Sequence, residues 1–203
     1  MRIFGTKRAK NPSTEMYASS ADFCRVFENQ MDRLYLLSLL LTADSEKAKK
    51  CFVRGLEDSK SGGPVFKEWA ESWARRTVIT NAIRMIGPRP GIPSPVIRST
   101  QEKKIEGLPE KLAAITELPA FERFVFVMSV LESYPARDCR LLLNCSNFDV
   151  AQARAQALQQ LAHSADAVGS AEALAKTYLE ETRHGDADSR LQQTQFTHLA
   201  ATA

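Results

Sequence analysis

The side chains best suited to chemistry in this sequence are donors and cations rather than nucleophiles. Arg75, Arg76 and Arg84 fall in one stretch of helical period, and Asn147, Gln152, Arg154 and Gln156 fall in another. Asn, Gln and Arg have the bidentate geometry that fits the edges of adenine and guanine, and arginine also pairs with phosphate. A further basic group, Lys47, Lys49, Lys50 and Arg54, calls for an acidic surface on a partner. The plainer reading of each set is a solvated helix face, with Glu68 and Glu71 as intrahelical partners for the arginines of the first stretch. No catalytic constellation accompanies these residues. The chain lacks G-x-x-x-x-G-K-[ST], G-x-G-x-x-G and H-E-x-x-H. Its three histidines (His163, His184, His198) and four cysteines (Cys24, Cys51, Cys139, Cys145) are not clustered at zinc-binding spacings. Neither an enzyme nor a cofactor is expected.

Such side chains need helices to hold them, and helices are what the pattern supplies. Apolar residues make up 44% of the 203 positions and charged residues 25%, with a net charge of +3, which excludes wholesale disorder and permits a nucleic-acid partner. The longest apolar run, Leu34 to Leu41, is interrupted by Ser38 and is too short to span a bilayer. Basic residues near the N-terminus are not followed by an apolar stretch, so a cytoplasmic location and packed, reduced thiols are expected.

Phe23, Val26, Phe27, Met31, Leu34, Leu37 and Leu41 recur at steps of three and four. They predict one long helix with a single apolar face, capped by Ser20 or Asp22. Thr42 to Ser45 ends it, and Ala48, Cys51, Phe52 and Leu56 mark a second helix. After Ser61-Gly62-Gly63-Pro64, a third helix opening at Pro64 carries Phe66, Trp69, Trp73, Thr77, Thr80 and Ile83 in step. The aromatic trio reads as a core stripe, or else as an exposed platform for unpaired bases.

Four prolines and two glycines between Gly87 and Pro95 form a linker. Beyond it, short helices are expected at Leu108–Leu118, Pro119–Leu131 and from Pro135, with a turn at Asn144-Cys145-Ser146. A last helix carries Val150, Ala153, Ala157, Leu158 and Leu161. The expected fold is therefore all-α, with two small helical domains: a tail at 1–17, a unit at 18–86, a linker at 87–107, a helix-turn-helix unit at 108–163, and a C-terminal helix with a disordered tail at 164–203. The two units are expected to move independently. In the helix-turn-helix register, Cys139, Leu142, Val150 and Ala153 point inward, while Asn147, Ala151 and Arg154 point outward and Arg140 sits at the edge.

Several segments resemble the extracytoplasmic-function class of bacterial RNA polymerase sigma factors. They are Leu34-Tyr35 through Thr42-Ala43-Asp44-Ser45-Glu46-Lys47-Ala48, Phe66-x-x-Trp69 with Ala74-Arg75, Leu118-Pro119, Val125-Phe126-Val127 with Glu132, and Asn144-Cys145-Ser146 with Val150. The resemblance implies a promoter-melting helical domain and a helix-turn-helix domain that bind promoter DNA and RNA polymerase core. It implies DNA contacts at Arg75, Arg76 and Arg84, and base reading from the 147–156 helix. Where the family carries acidic polymerase contacts, this chain has Lys47, Lys49, Lys50 and Arg54. Its Glu57–Pro64 loop is short, and between Ser146 and His163 only Arg154 and Asp149 are charged. These features fit the alternative of a sigma-like regulator that docks on an anti-sigma or other protein partner.

Overall fold

Capping residues and helix breakers set the order of the elements. The computed structural model describes residues 16–91, 108–163 and 171–181. The expected linker beyond Gly91, the tail before Met16 and the tail after Glu181 lie outside the described residues. Within them the helices are α1 (Ser20–Asn29), α2 (Met31–Thr42), α3 (Ser45–Ser61), α4 (Ala70–Ile86), α5 (Glu110–Glu117), α6 (Ala120–Phe126), α7 (Ala136–Leu143), α8 (Asn147–His163) and α9 (Ala171–Glu181). No strand occurs among the described residues; one isolated bridge joins Tyr17 to Phe66. That bridge pins Met16 and Tyr17, which the sequence assigns to the free tail, to the loop before α4.

The long first helix predicted from periodicity is two helices, broken at Gln30, whose φ is −114° and ψ 25°. Its N-cap is Ser19 rather than Ser20 or Asp22. The Ser19 hydroxyl accepts from the Asp22 N–H at 3.2 Å, and the Asp22 carboxylate accepts from the Ser19 N–H at 2.9 Å. The same reciprocal pair opens α8, with Ser146 and Asp149 bonded at 3.1 and 2.8 Å. In both pairs the serine's hydrogen bonds hold the aspartate's carboxyl below its ordinary range.

α4 begins at Ala70 rather than Pro64, after a 3-10 turn over Lys67–Trp69. The expected aromatic core stripe is not what it buries. Trp69 is 58% exposed, and Phe66 and Trp73 are half-buried. The buried face is instead Ala70, Ala74, Thr77, Val78, Ile79, Asn81 and Ala82. Small residues let α3 come close at this crossing. A Cβ on Gly55 would meet Val78 Cγ2 at 2.9 Å. The Cys51 thiol donates to the Val78 carbonyl at 3.3 Å, and the Ser59 and Thr77 hydroxyls lie 2.9 Å apart. Two indoles at this seam would hold the helices apart.

α2 is the centre of the molecule. Leu34 and every residue from Leu37 to Thr42 are buried, so the helix is apolar nearly all round and must be covered on more than one side. α3 and α4 cover part of it; α5, α6 and the turn after α6 cover another part. One continuous core runs from Phe27 through Leu112, Phe124 and Val150 to Tyr178. The described helices therefore do not form two loosely tethered bodies, as the proline-rich stretch alone suggests. α9 belongs to the same core, through Leu174 and Tyr178.

Arg123 ties the halves further. Its buried guanidinium donates to the carbonyl of Leu41 at 3.2 Å, of Thr116 at 3.1 Å and of Leu118 at 2.9 Å. These carbonyls belong to the ends of α2 and α5, where unpaired oxygens and the helix dipole favour a cation. Burial still pulls its pKa down, to about 10.

All four cysteines are free thiols, as expected, but only Cys51 and Cys139 are buried. Burial pushes each of these two up to about 11. A disulfide reagent at pH 8 should therefore react quickly with no more than Cys24 and Cys145, and with the other two only on unfolding. A fast phase of three or four thiols would refute this. Because the folded thiols ionise later than unfolded ones, their contribution to stability should be flat below pH 9 and fall between pH 9 and 11.

Candidate functional site

An open cleft of about 610 Å³ lies where α4 meets the loop before α7. Gly63 to Phe66, Trp69, Ser72, Trp73, Arg75 and Arg76 form one wall; Glu132 to Pro135 and Asp138 form the other. Phe66 stacks on Tyr17, with ring centroids 4.9 Å apart, and meets Trp69 edge-on at 5.3 Å. The Trp73 indole N–H is buried without a hydrogen-bond acceptor. Trp69 therefore presents an exposed face and is not part of a core stripe.

A π-helical turn at Val127–Leu131 sets the second wall. The Glu132 N–H donates to the Val127 carbonyl at 2.9 Å, and the Tyr134 N–H reaches back to Met128 at 2.8 Å. Ser133 between them takes a φ of 56°. The wider turn shifts the register by about one residue relative to an α-helix, and the Glu132 carboxylate turns inward.

Its side chain is only 1% exposed, and partners reach it from three other elements. Arg33 of α2 lies 3.5 Å away and Arg75 of α4 lies 3.7 Å away. The Tyr178 hydroxyl of α9 donates a hydrogen bond to it. Burial, with the Glu132 carboxylate beside it, holds the Tyr178 phenol well above its ordinary range. Burial opposes the charge on Arg33, but Glu132 and Tyr178 together outweigh it and its pKa rises. Burial also raises Tyr134, reinforced by Glu132 and opposed by Arg75 and Arg76.

The candidate arginines thus have different fates. Arg75 is tied to Glu132 and to the Ser72 hydroxyl at 3.4 Å, not to Glu71 as helical spacing suggests. Arg76 is exposed at the cleft. Arg84 pairs with Asp58 at 3.1 Å, and the same carboxylate accepts from Asn81 at 2.9 Å. On α8, Asn147, Ala151, Gln152, Arg154 and Gln156 are exposed, while Val150, Ala153, Ala157 and Leu161 are buried. Cys139 and Leu143 of α7 are buried, Leu142 and Arg140 are half-buried, and Asn144 turns the chain with a φ of 50°. None of the α8 side chains lines the cleft. Of the basic group on α3, Lys47, Lys50 and Arg54 are exposed, and half-buried Lys49 pairs with Glu46 at 3.0 Å.

Arg33, Tyr178 and Arg123 carry no motif that marks them as functional in the sequence, and Glu132 enters only through the sigma-factor resemblance, with no role attached to it. A usable signal exists for the three charged ones. None has an opposite charge three or four positions away, and each adjoins apolar residues, so its partner must come from elsewhere in the fold.

Among the described residues no group of three or more His, Cys, Asp or Glu side chains is placed to hold a metal. No helix among them is long and apolar enough to cross a membrane. Comparison with protein-family models, curated proteins and solved structures finds no match to the chain.

Proposed function

We propose that the chain is a sigma-factor-like transcription protein, with α7 and α8 acting as a helix-turn-helix and α8 facing DNA. The observation that carries this reading is the burial pattern of α8. Val150, Ala153, Ala157 and Leu161 face the core, while Asn147, Gln152, Arg154 and Gln156 face solvent, beside exposed Phe148, in the bidentate chemistry suited to base edges. Exposed Arg76 would add a phosphate contact from α4. With so few cations the complex should be weak and its salt dependence shallow.

Fluorescence anisotropy with labelled duplex and partly melted DNA at low salt tests this reading. Arg154→Ala should weaken binding by roughly five- to tenfold, about 1–1.4 kcal/mol, within the range of one specific contact. Its folding stability should change by no more than ~0.5 kcal/mol. Absence of binding to either DNA form at low salt would remove the proposal.

A second reading, a sigma-like regulator that docks on a protein, is favoured by α3. Lys47, Lys50 and Arg54 recur at steps of three and four along its exposed face and fit an acidic partner. Co-purification with polymerase core separates the two readings. A promoter-binding protein should retain the core in a Lys50- and Arg54-independent manner, whereas an acidic regulatory partner should be lost when both become Glu.

A further inference from the structure

Arg75 faces the same cleft as Arg76, yet its guanidinium is held by a carboxylate from the other half of the chain. That carboxylate is in turn held by Tyr178, from the last described helix. We infer that α9 is a latch: docked through Leu174 and Tyr178, it keeps Glu132 buried on Arg75 and withholds this arginine from anions. That Arg75 would contact nucleic acid rests on the function proposed above; that α9 withholds it does not.

Three observations support a latch over a fixed strut. First, α9 has 11 residues, and of its residues 172–180 only Leu174 and Tyr178 are fully buried. A helix of that length is marginal without its packing, so local undocking is within thermal reach while the main core stays folded. Second, the innermost anchor is polar. The Tyr178 hydroxyl and the Glu132 carboxylate can both exchange their bond for water, which lowers the cost of release compared with an apolar plug of the same size. Third, Arg75 already lies at the cleft edge, its side chain 23% exposed beside exposed Arg76. Once water reaches Glu132, its hold on Arg75 weakens as the local dielectric rises. The arginine then needs only a rotamer change to join Arg76.

The test uses the full chain and an arginine-selective dicarbonyl, phenylglyoxal, with modification read residue by residue by mass spectrometry. In the wild type, Arg76 should be modified readily and Arg75 protected. Tyr178→Ala and Leu174→Ser remove one anchor each, and hydrogen exchange over 171–181 reports whether α9 has come free. In a variant whose α9 has lost protection, Arg75 modification should rise at least fivefold while Arg76 is unchanged. Arg75 remaining protected in either variant after α9 is free would overturn the latch. So would Arg75 that is already as reactive as Arg76 in the wild type. The same variants tested for DNA binding should bind about tenfold tighter. Released Arg75 without tighter binding, where the wild type binds DNA, overturns the inhibitory role. Absence of DNA binding in every protein instead removes the proposed function and leaves the release of Arg75 standing.

Discussion

Replacing Glu132 with alanine should destabilise the fold by about 3–5 kcal/mol, the range seen when one member of a buried ion pair is removed. The size follows from what remains. Arg33 and Arg75 would keep their charges next to each other without the carboxylate between them, and the Tyr178 hydroxyl would lose its acceptor. The Arg33 Nε is already buried without an acceptor, so that side chain has little means to compensate. A loss of this size lowers the melting temperature by roughly 6–20 °C in a protein of this length. Glu132→Gln should cost less, because the amide oxygen can still accept from Tyr178 while the charge is lost. Urea titration of both variants checks the expectation. A loss below about 1 kcal/mol for the alanine variant would show that the carboxylate is not the junction of the four elements.

Val150→Asp is the second large effect. Val150 is 3% exposed, in a helix that packs on both α6 and α7. An unpaired carboxylate there must either be buried, at a cost of several kcal/mol, or pull α8 off its seat. The expected loss is about 4 kcal/mol or more, at the exceptional end for a single substitution. The sequence alone predicts that only the C-terminal unit would unfold. The shared core predicts otherwise: α6 contacts α2 directly, so α1–α4 should lose stability in the same transition. Near-ultraviolet circular dichroism follows Trp69 and Trp73, both in the N-terminal half. If their signal melts at the wild-type temperature while the helical signal falls early, the two halves are energetically separate and the shared core contributes little.

The register of α8 is legible in its own residues. Period, a Ser-x-x-Asp start and an Asn at the preceding turn place Val150 and Ala153 inward and Asn147, Ala151 and Arg154 outward, and burial follows that register. α4 is less legible. Its aromatic residues share a helical step, and hydrophobicity alone would bury them. The seam goes to Ala74, Val78 and their neighbours because Gly55 on α3 leaves room for close approach and none for an indole. That choice depends on the partner helix and has no local signature.

What the sequence determined by itself is the all-α character and most of the helices, because glycine and proline breaks and apolar periodicity act over a few residues; the break at Gln30 and the start of α4 at Ala70 escaped it. The decision to assemble those helices into one core was tertiary. α2 carries more apolar surface than one helical layer can cover, but which segment covers the remainder is fixed only when α5 and α6 arrive from beyond the proline-rich stretch. The fate of the charges was tertiary for the same reason. Arg75 has Glu71 one turn away along its own helix, yet pairs with Glu132, since an exposed intrahelical pair is worth a few tenths of a kcal/mol whereas a buried carboxylate cannot go unpartnered.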